Sequence, residues 1–187
     1  ISCPGSVKLI DDAVAAGAKI INSSSIYADE GTAAHELAEK ALRGQGNCFR
    51  YEGLTLELEN AITVSREMCS YVQSYVDFVK LFKGELRIEE RVCFDDWVPE
   101  GSGTSDAVII QEDRFVCIDL KYGKGVPVVA EGNTQAICYA LGTYQGLSPE
   151  QREKMKTVLM IIHQPRIDNI SEWEISIDEL LRRGEAI

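Results

Sequence analysis

The spacing of hydrophobic and polar positions divides the chain into an early part with helical period and a later part dominated by period two. Residues 4–16 read as a short helix opened by Pro4 and ended near Gly17. A polar stretch at 22–25 follows, then a second helix over 29–43, DEGTAAHELAEKALR, closed by Gly44. The segment 44–58 is irregular. Met68, Tyr71, Val72, Tyr75, Val79 and Phe82 then recur at helical spacing and predict a long amphipathic helix over 60–82. At Glu85 the period changes. ELRIEERVCF alternates as a strand, 103–110 (GTSDAVII) forms a second, and 115–121 (FVCIDLK) a third. The tight turn at 111–114 makes the last two a hairpin. After a YGKGVP loop, residues 130–146 return to helical period. A loop at Ser148 and Pro149 leads to 156–164, apolar enough for a central buried strand. IDNISEWEISI reads as an edge strand and 178–184 as a terminal helix. The order is helix, three strands, helix, strand, with extra helices early, which predicts one α/β domain over 1–187 on a mixed sheet flanked by helices.

Composition narrows the class. The 187 residues are 45% hydrophobic, enough for a sizeable core, and the 15 Gly and 5 Pro follow no repeat. No run approaches the ~20 apolar residues of a membrane span. No basic region followed by an apolar run opens the chain, so no leader is expected. A start at Ile1 rather than Met fits a trimmed product or a piece, with a C-terminal continuation an open reading. Of the six cysteines, Cys69, Cys93, Cys117 and Cys138 lie in apolar periodic segments and none forms CxxC. Buried, reduced thiols in a cytoplasmic protein are the expectation. The net charge of −11 argues against a broadly basic nucleic-acid footprint. A local basic groove is still compatible with it, and metal-holding nucleases concentrate carboxylates at their sites.

The third strand carries the candidate chemistry. Phe115, Cys117, Asp119 and Lys121 share one face, while Val116, Ile118 and Leu120 give the other a wholly apolar surface that must enter the core. Alone, a DxK at a strand end is a surface salt bridge. The hairpin changes this, because a turn centred between residues 112 and 113 sets Asp106 opposite Asp119. Two facing carboxylates repel, and a hard divalent cation such as Mg²⁺ or Mn²⁺ relieves the repulsion. Asp106 as a turn cap is the alternative. His35 lies in the second helix beside Gly31 and Ala38, where small residues permit close approach to a sheet. It reads either as structural or as a neutral ligand completing a carboxylate site. Glu30 and Glu36 are alternative acids. Gln135 and Tyr139 share a helix face. Lys124, between two glycines in a loop without a P-loop signature, and Arg166, after the central strand, are candidate phosphate contacts or plain surface cations.

Together these residues resemble the PD-(D/E)XK nuclease superfamily, in particular its RecB-like exonuclease branch. That branch orders a helix His, a GxxD strand, a D/ExK strand and a QxxxY helix. Here they are His35 in EGTAAHELAE, Asp106 in GTSDAVI, Asp119 and Lys121 in IDLKYGKG, and Gln135 and Tyr139 in QAICYALG. The wider wording, CPGS and HQPRIDNIS included, resembles phage-type members. The resemblance implies a restriction-endonuclease-like αβββαβ core with an inserted long helix. It implies that His35, Asp106, Asp119 and the Leu120 carbonyl hold Mg²⁺ or Mn²⁺. Lys121 would then be the catalytic lysine, and Gln135 and Tyr139 would orient the site and the DNA strand. Glu30 is the expected first-helix acid. DNA, and recombination or replication proteins, are the implied partners. Some relatives hold an iron–sulfur cluster on one Cys before the core and three after it. Cys3 fits the first position, but no Cys follows Cys138, so the cysteines present do not support a cluster. The implied activity is metal-dependent DNA hydrolysis, with a non-cutting nucleic-acid- or partner-binding module as the alternative.

Overall fold

Ser25 accepts the Ala28 N–H and opens α1 (Ile26–Leu42) in the computed structural model, which describes residues 25–187. The expected helix over 4–16 and the CPGS turn lie outside the described residues. Arg43 caps the C-terminus of α1, and Gly44 leaves it at φ 77, a left-handed conformation that costs glycine little. Ala33, Ala34, Ala38 and Ala41 are the small residues that let α1 lie close on its neighbours; Gly31 faces open space.

The long helix is shorter than its periodicity indicates. α2 covers Arg66–Val79, capped by Ser65, whose side chain accepts the Met68 N–H. The residues ahead of it are extended: β1 (Thr55–Leu56) pairs antiparallel with β2 (Ile62–Thr63). The β-branched run Ile62, Thr63, Val64 favours that conformation over helix.

The main sheet has five strands in the order β3 (Glu85–Cys93), β4 (Ser102–Ile110), β5 (Arg114–Leu120), β6 (Thr157–Gln164) and β7 (Asn169–Ser176). β5 and β6 are parallel and every other pair antiparallel, so the sheet is mixed. A parallel pair needs a crossover, here α3 (Thr134–Gly146) and α4 (Pro149–Lys154). α4 stands where a loop was expected. The sequence SPEQ carries its cause: Ser148 accepts the Gln151 N–H, the Gln151 side chain accepts the Ser148 N–H, and Pro149 fits the first turn. α5 (Ile177–Gly184) ends the chain's ordered elements.

Both faces of the sheet are covered, so β5 has no polar side. Val116, Ile118 and Leu120 pack with α1 and α2 in one core. Phe115 and Cys117 pack with α3 and α5 in a second. The face shared by Phe115, Cys117, Asp119 and Lys121 is therefore buried for most of its length and becomes polar at its C-terminal end. Cys48, Cys69, Cys117 and Cys138 are buried free thiols; Cys93, expected inside, is exposed on the edge strand. Among the described residues no helix is long and apolar enough to cross a membrane.

Candidate functional site

The hairpin register is the one the turn indicates. Gln111 N–H donates to the Arg114 carbonyl, and Ala107 pairs with Ile118. The backbone ladder ends there. Two residues beyond Ile118, the Leu120 N–H donates to Asp106 Oδ2 at 2.7 Å, so a carboxylate takes the place of a main-chain acceptor. This fixes Asp106 and aims its other oxygen at α1, where His35 Nδ1 lies 3.2 Å from Oδ1. Leu120 thus enters the site through its N–H.

Glu89 completes the cluster and was not among the sequence candidates. Ligand atoms of His35, Glu89 and Asp106 all lie within 4.8 Å of one another, the one set of three among the described residues with the spacing of a metal site. Glu89 reaches it through a distorted backbone. Its φ is 50 in the middle of β3, a left-handed conformation that costs an L-residue roughly 1–2 kcal/mol. The distortion rotates the strand: Leu86 and Ile88 pack on the first core, whereas Val92, of the same parity, belongs to the second. Arg43, which caps α1, donates to the Ile88 carbonyl at 3.1 Å and ties the helix to the strand beside Glu89. The sequence signal was the charged triplet Glu89, Glu90, Arg91 breaking an alternating strand.

Crowded acids raise each other's pKa. Burial and the Asp106 charge push Glu89 up to about 7. Burial, with Asp106 next to it, also raises Asp119, against the lowering effect of Lys121. For His35 burial works downward, but the hydrogen bond it donates to Asp106 and the charges of Asp106, Glu89 and Asp119 outweigh it and leave the imidazole raised. A carboxyl raised on folding stabilises the fold only while it holds its proton. Glu89 therefore contributes fully below its unfolded value, near 4.5, and progressively less as pH rises through about 7. Glu89→Gln is expected to stabilise the metal-free protein at pH 8 by about 1–2 kcal/mol, allowing for its partial exposure, and to leave it unchanged near pH 4. Thermal unfolding at the two pH values checks this.

Lys121 stands beside the cluster. Its Nζ donates to Asp119 Oδ1 at 3.1 Å and to Gln135 Oε1 at 2.8 Å. It also lies 2.9 Å from Asp119 Oδ2, without hydrogen-bond geometry, and this buried oxygen accepts no hydrogen bond. Gln135 in turn donates to Tyr139 Oη at 3.0 Å, so the helix pair Gln135 and Tyr139 orients the ammonium. Gly103 makes this possible: a Cβ there would stand 2.6 Å from Tyr139 Cε1. The glycine three residues before Asp106 is thus a seat for the tyrosine ring. Gly103→Ala is expected to destabilise by about 1–3 kcal/mol and to shift the Gln135–Lys121 contact. Urea unfolding reads the first effect.

Three sequence candidates lie elsewhere. Glu30, expected as the first-helix acid, points away from the cluster and pairs with Arg166 at 2.9 Å. Arg166 is no plain surface residue: its side chain is 11% exposed and stacks 4.7 Å from the Tyr122 ring centroid. Its Nε is buried without an acceptor, a state that costs about 1–3 kcal/mol. Lys124 shares a side cavity of about 270 Å³ with Glu30, Tyr122 and Arg166. The cluster itself opens to solvent through a broad cleft lined by Thr32, His35, Glu36, Glu39, Lys40 and Glu89.

The donor set suits a hard divalent cation: an imidazole and two carboxylates converge, while Asp119, expected among the ligands, is paired with Lys121 and stands outside that set of three. Across residues 1–187 the sequence matches the family described as "Protein of unknown function (DUF2800)", and the chain belongs to that family.

Proposed function

We propose that this chain is a divalent-metal-dependent deoxyribonuclease with a restriction-endonuclease-like core, related to the RecB-like exonucleases of the PD-(D/E)XK superfamily. One observation carries the reading: His35, Glu89 and Asp106 converge at cation-ligand spacing while Gln135 holds the Lys121 ammonium beside Asp119. The five-stranded mixed sheet between helices is compatible with such a core.

The residues that would hold Mg²⁺ or Mn²⁺ are His35, Glu89, Asp106 and Asp119, with the Leu120 carbonyl as a further ligand implied by the resemblance. Bound there, the cation supplies Lewis-acid polarisation of a phosphoryl oxygen and makes water easier to ionise. Lys121 orients the attacking water and stabilises the charge that develops on the phosphate. Gln135, through its carbonyl oxygen, keeps the ammonium directed, and Tyr139 fixes the Gln135 amide. Phage-type DNA replication or recombination is the setting that the resemblance implies.

The test is incubation with linear duplex, circular duplex and single-stranded DNA, with Mg²⁺ or Mn²⁺ and with chelator. Metal-dependent loss of linear DNA supports the reading. The net charge of −11 works against DNA contact and leaves a second reading, a non-cutting module that binds nucleic acid or, as that charge suits better, a replication protein. Metal binding without cleavage of any of the three DNAs would support that alternative.

A further inference from the structure

We infer that the groove between α2 and β7 is a docking site for a protein partner, which inserts a large apolar side chain there and sets a neighbouring lysine or arginine against the acidic rim. The inference stands on this surface alone and does not need the DNA-cleaving reading.

The groove exists because the two faces of the sheet are covered unequally at β7, an edge strand. Trp173 and Ile175 turn toward the second core. Ile170, Glu172 and Glu174 alternate to the other side, and all three are exposed, so neither α1 nor α2 covers them. Between the C-terminal turn of α2 and this bare edge lies a cavity of about 360 Å³. At its base is the buried His163 ring, 5.1 Å from the ring of Phe78. Leu81, 73% exposed, and Ile170, 47% exposed, form its lips. Two large aliphatic side chains left in water on either side of one cavity, above an aromatic base, make an anchor pocket, where a single inserted side chain carries much of the binding energy.

Charge selects the occupant. Asp77 and Asp168 stand in the wall, which carries no Lys or Arg; Lys80, the cap of α2, lies outside it. Asp77 accepts a hydrogen bond from Gln73, and among the described residues neither carboxylate has a cation as partner. Glu172 continues the negative edge along β7. Such a rim repels phosphates, and with them nucleic acid and anionic membranes. A second copy brings the same acids and a further −11, so it is disfavoured as well. A protein segment with Lys or Arg beside its apolar anchor is drawn in on encounter and held in register once bound. The base of the groove also joins the β4–β5 hairpin: His163 pairs with Leu120, and its carbonyl accepts the Lys121 N–H at 2.9 Å. A partner docked here is held one strand away from Asp119 and Lys121.

The test is selection of a random dodecapeptide display library on the immobilised full chain, with the enriched peptides then labelled and titrated by fluorescence anisotropy. Enriched peptides are expected to place an aromatic or large aliphatic residue beside Lys or Arg. The double variant Leu81→Ser, Ile170→Ser, at exposed positions outside both cores, is expected to bind them at least about tenfold more weakly. The double variant Asp77→Asn, Asp168→Asn is expected to bind them about fivefold more weakly at low salt and equally at high salt. Asparagine still accepts the Gln73 hydrogen bond and tolerates the left-handed φ of 52 at residue 168, so this variant keeps the fold. No enriched peptide, an acidic consensus, or enriched peptides that bind both double variants as tightly as the wild type overturns the docking site. A concentration-dependent dimer that the double variant Leu81→Ser, Ile170→Ser dissolves gives the groove to a second copy and overturns the proposal as well.

Discussion

Lys121→Ala is expected to lower DNA cleavage on the order of 10²–10³-fold while the protein stays folded and still binds Mn²⁺. The size follows from the role: one preorganised donor that meets charge developing on a phosphate is worth about that much. The retained fold follows from the location. The Lys121 side chain is 31% exposed, at the end of β5, outside both cores. Its removal leaves Asp119 without its cation, and because burial and Asp106 already raise Asp119, the metal-free variant responds by taking up a proton at a higher pH. A metal ion in the site reverses that response, so metal titration and cleavage separate: binding persists and turnover falls. Lys121→Arg should not restore the rate, since a planar guanidinium cannot occupy the same contacts with Asp119 and Gln135 as a compact ammonium.

Asp106→Asn is expected to weaken Mn²⁺ binding at least about 100-fold in calorimetry and to abolish cleavage with it. Changes to groups that merely support metal ligands already cost about 10–100-fold, and Asp106 sits at the centre of this set. The asparagine carbonyl can still accept the Leu120 N–H, so the end of the β4–β5 hairpin keeps its geometry. The variant also removes the charge that raises Glu89 and Asp119. Metal-free Asp106→Asn is therefore expected to unfold at a higher temperature than the wild type at pH 8. Higher stability together with lost metal affinity is the signature of acids clustered for a ligand rather than for the fold. The wild type should bind Mn²⁺ more tightly as pH rises through about 7, because Glu89 must release its proton to serve as a ligand.

The sequence made the hairpin legible because its register is set by a tight turn and by alternation, both local signals. Asp106 opposite the end of β5, and Gln135 and Tyr139 on one helix face, follow from those periods alone. Glu89 was not legible as a ligand. Its side chain is delivered by a left-handed residue inside a strand, and period-two reasoning assumes that no such residue occurs there. Arg166 was misread for a related reason. Its burial depends on Tyr122 and Glu30, and Glu30 is distant in sequence and brought near only by the packing of α1 on the sheet. The long helix over 60–82 shortened to α2 because apolar residues at helical spacing continue into segments whose capping and β-branched residues favour other structure. Ser65 held that information as a cap, as Ser148 did for α4.

The most direct measurement is anomalous diffraction from a Mn²⁺-soaked crystal. A peak enclosed by His35, Glu89 and Asp106 and bordered by Asp119 is the expected result. A protein that takes up Mn²⁺ elsewhere, or not at all, with these four side chains in their present positions, would contradict it.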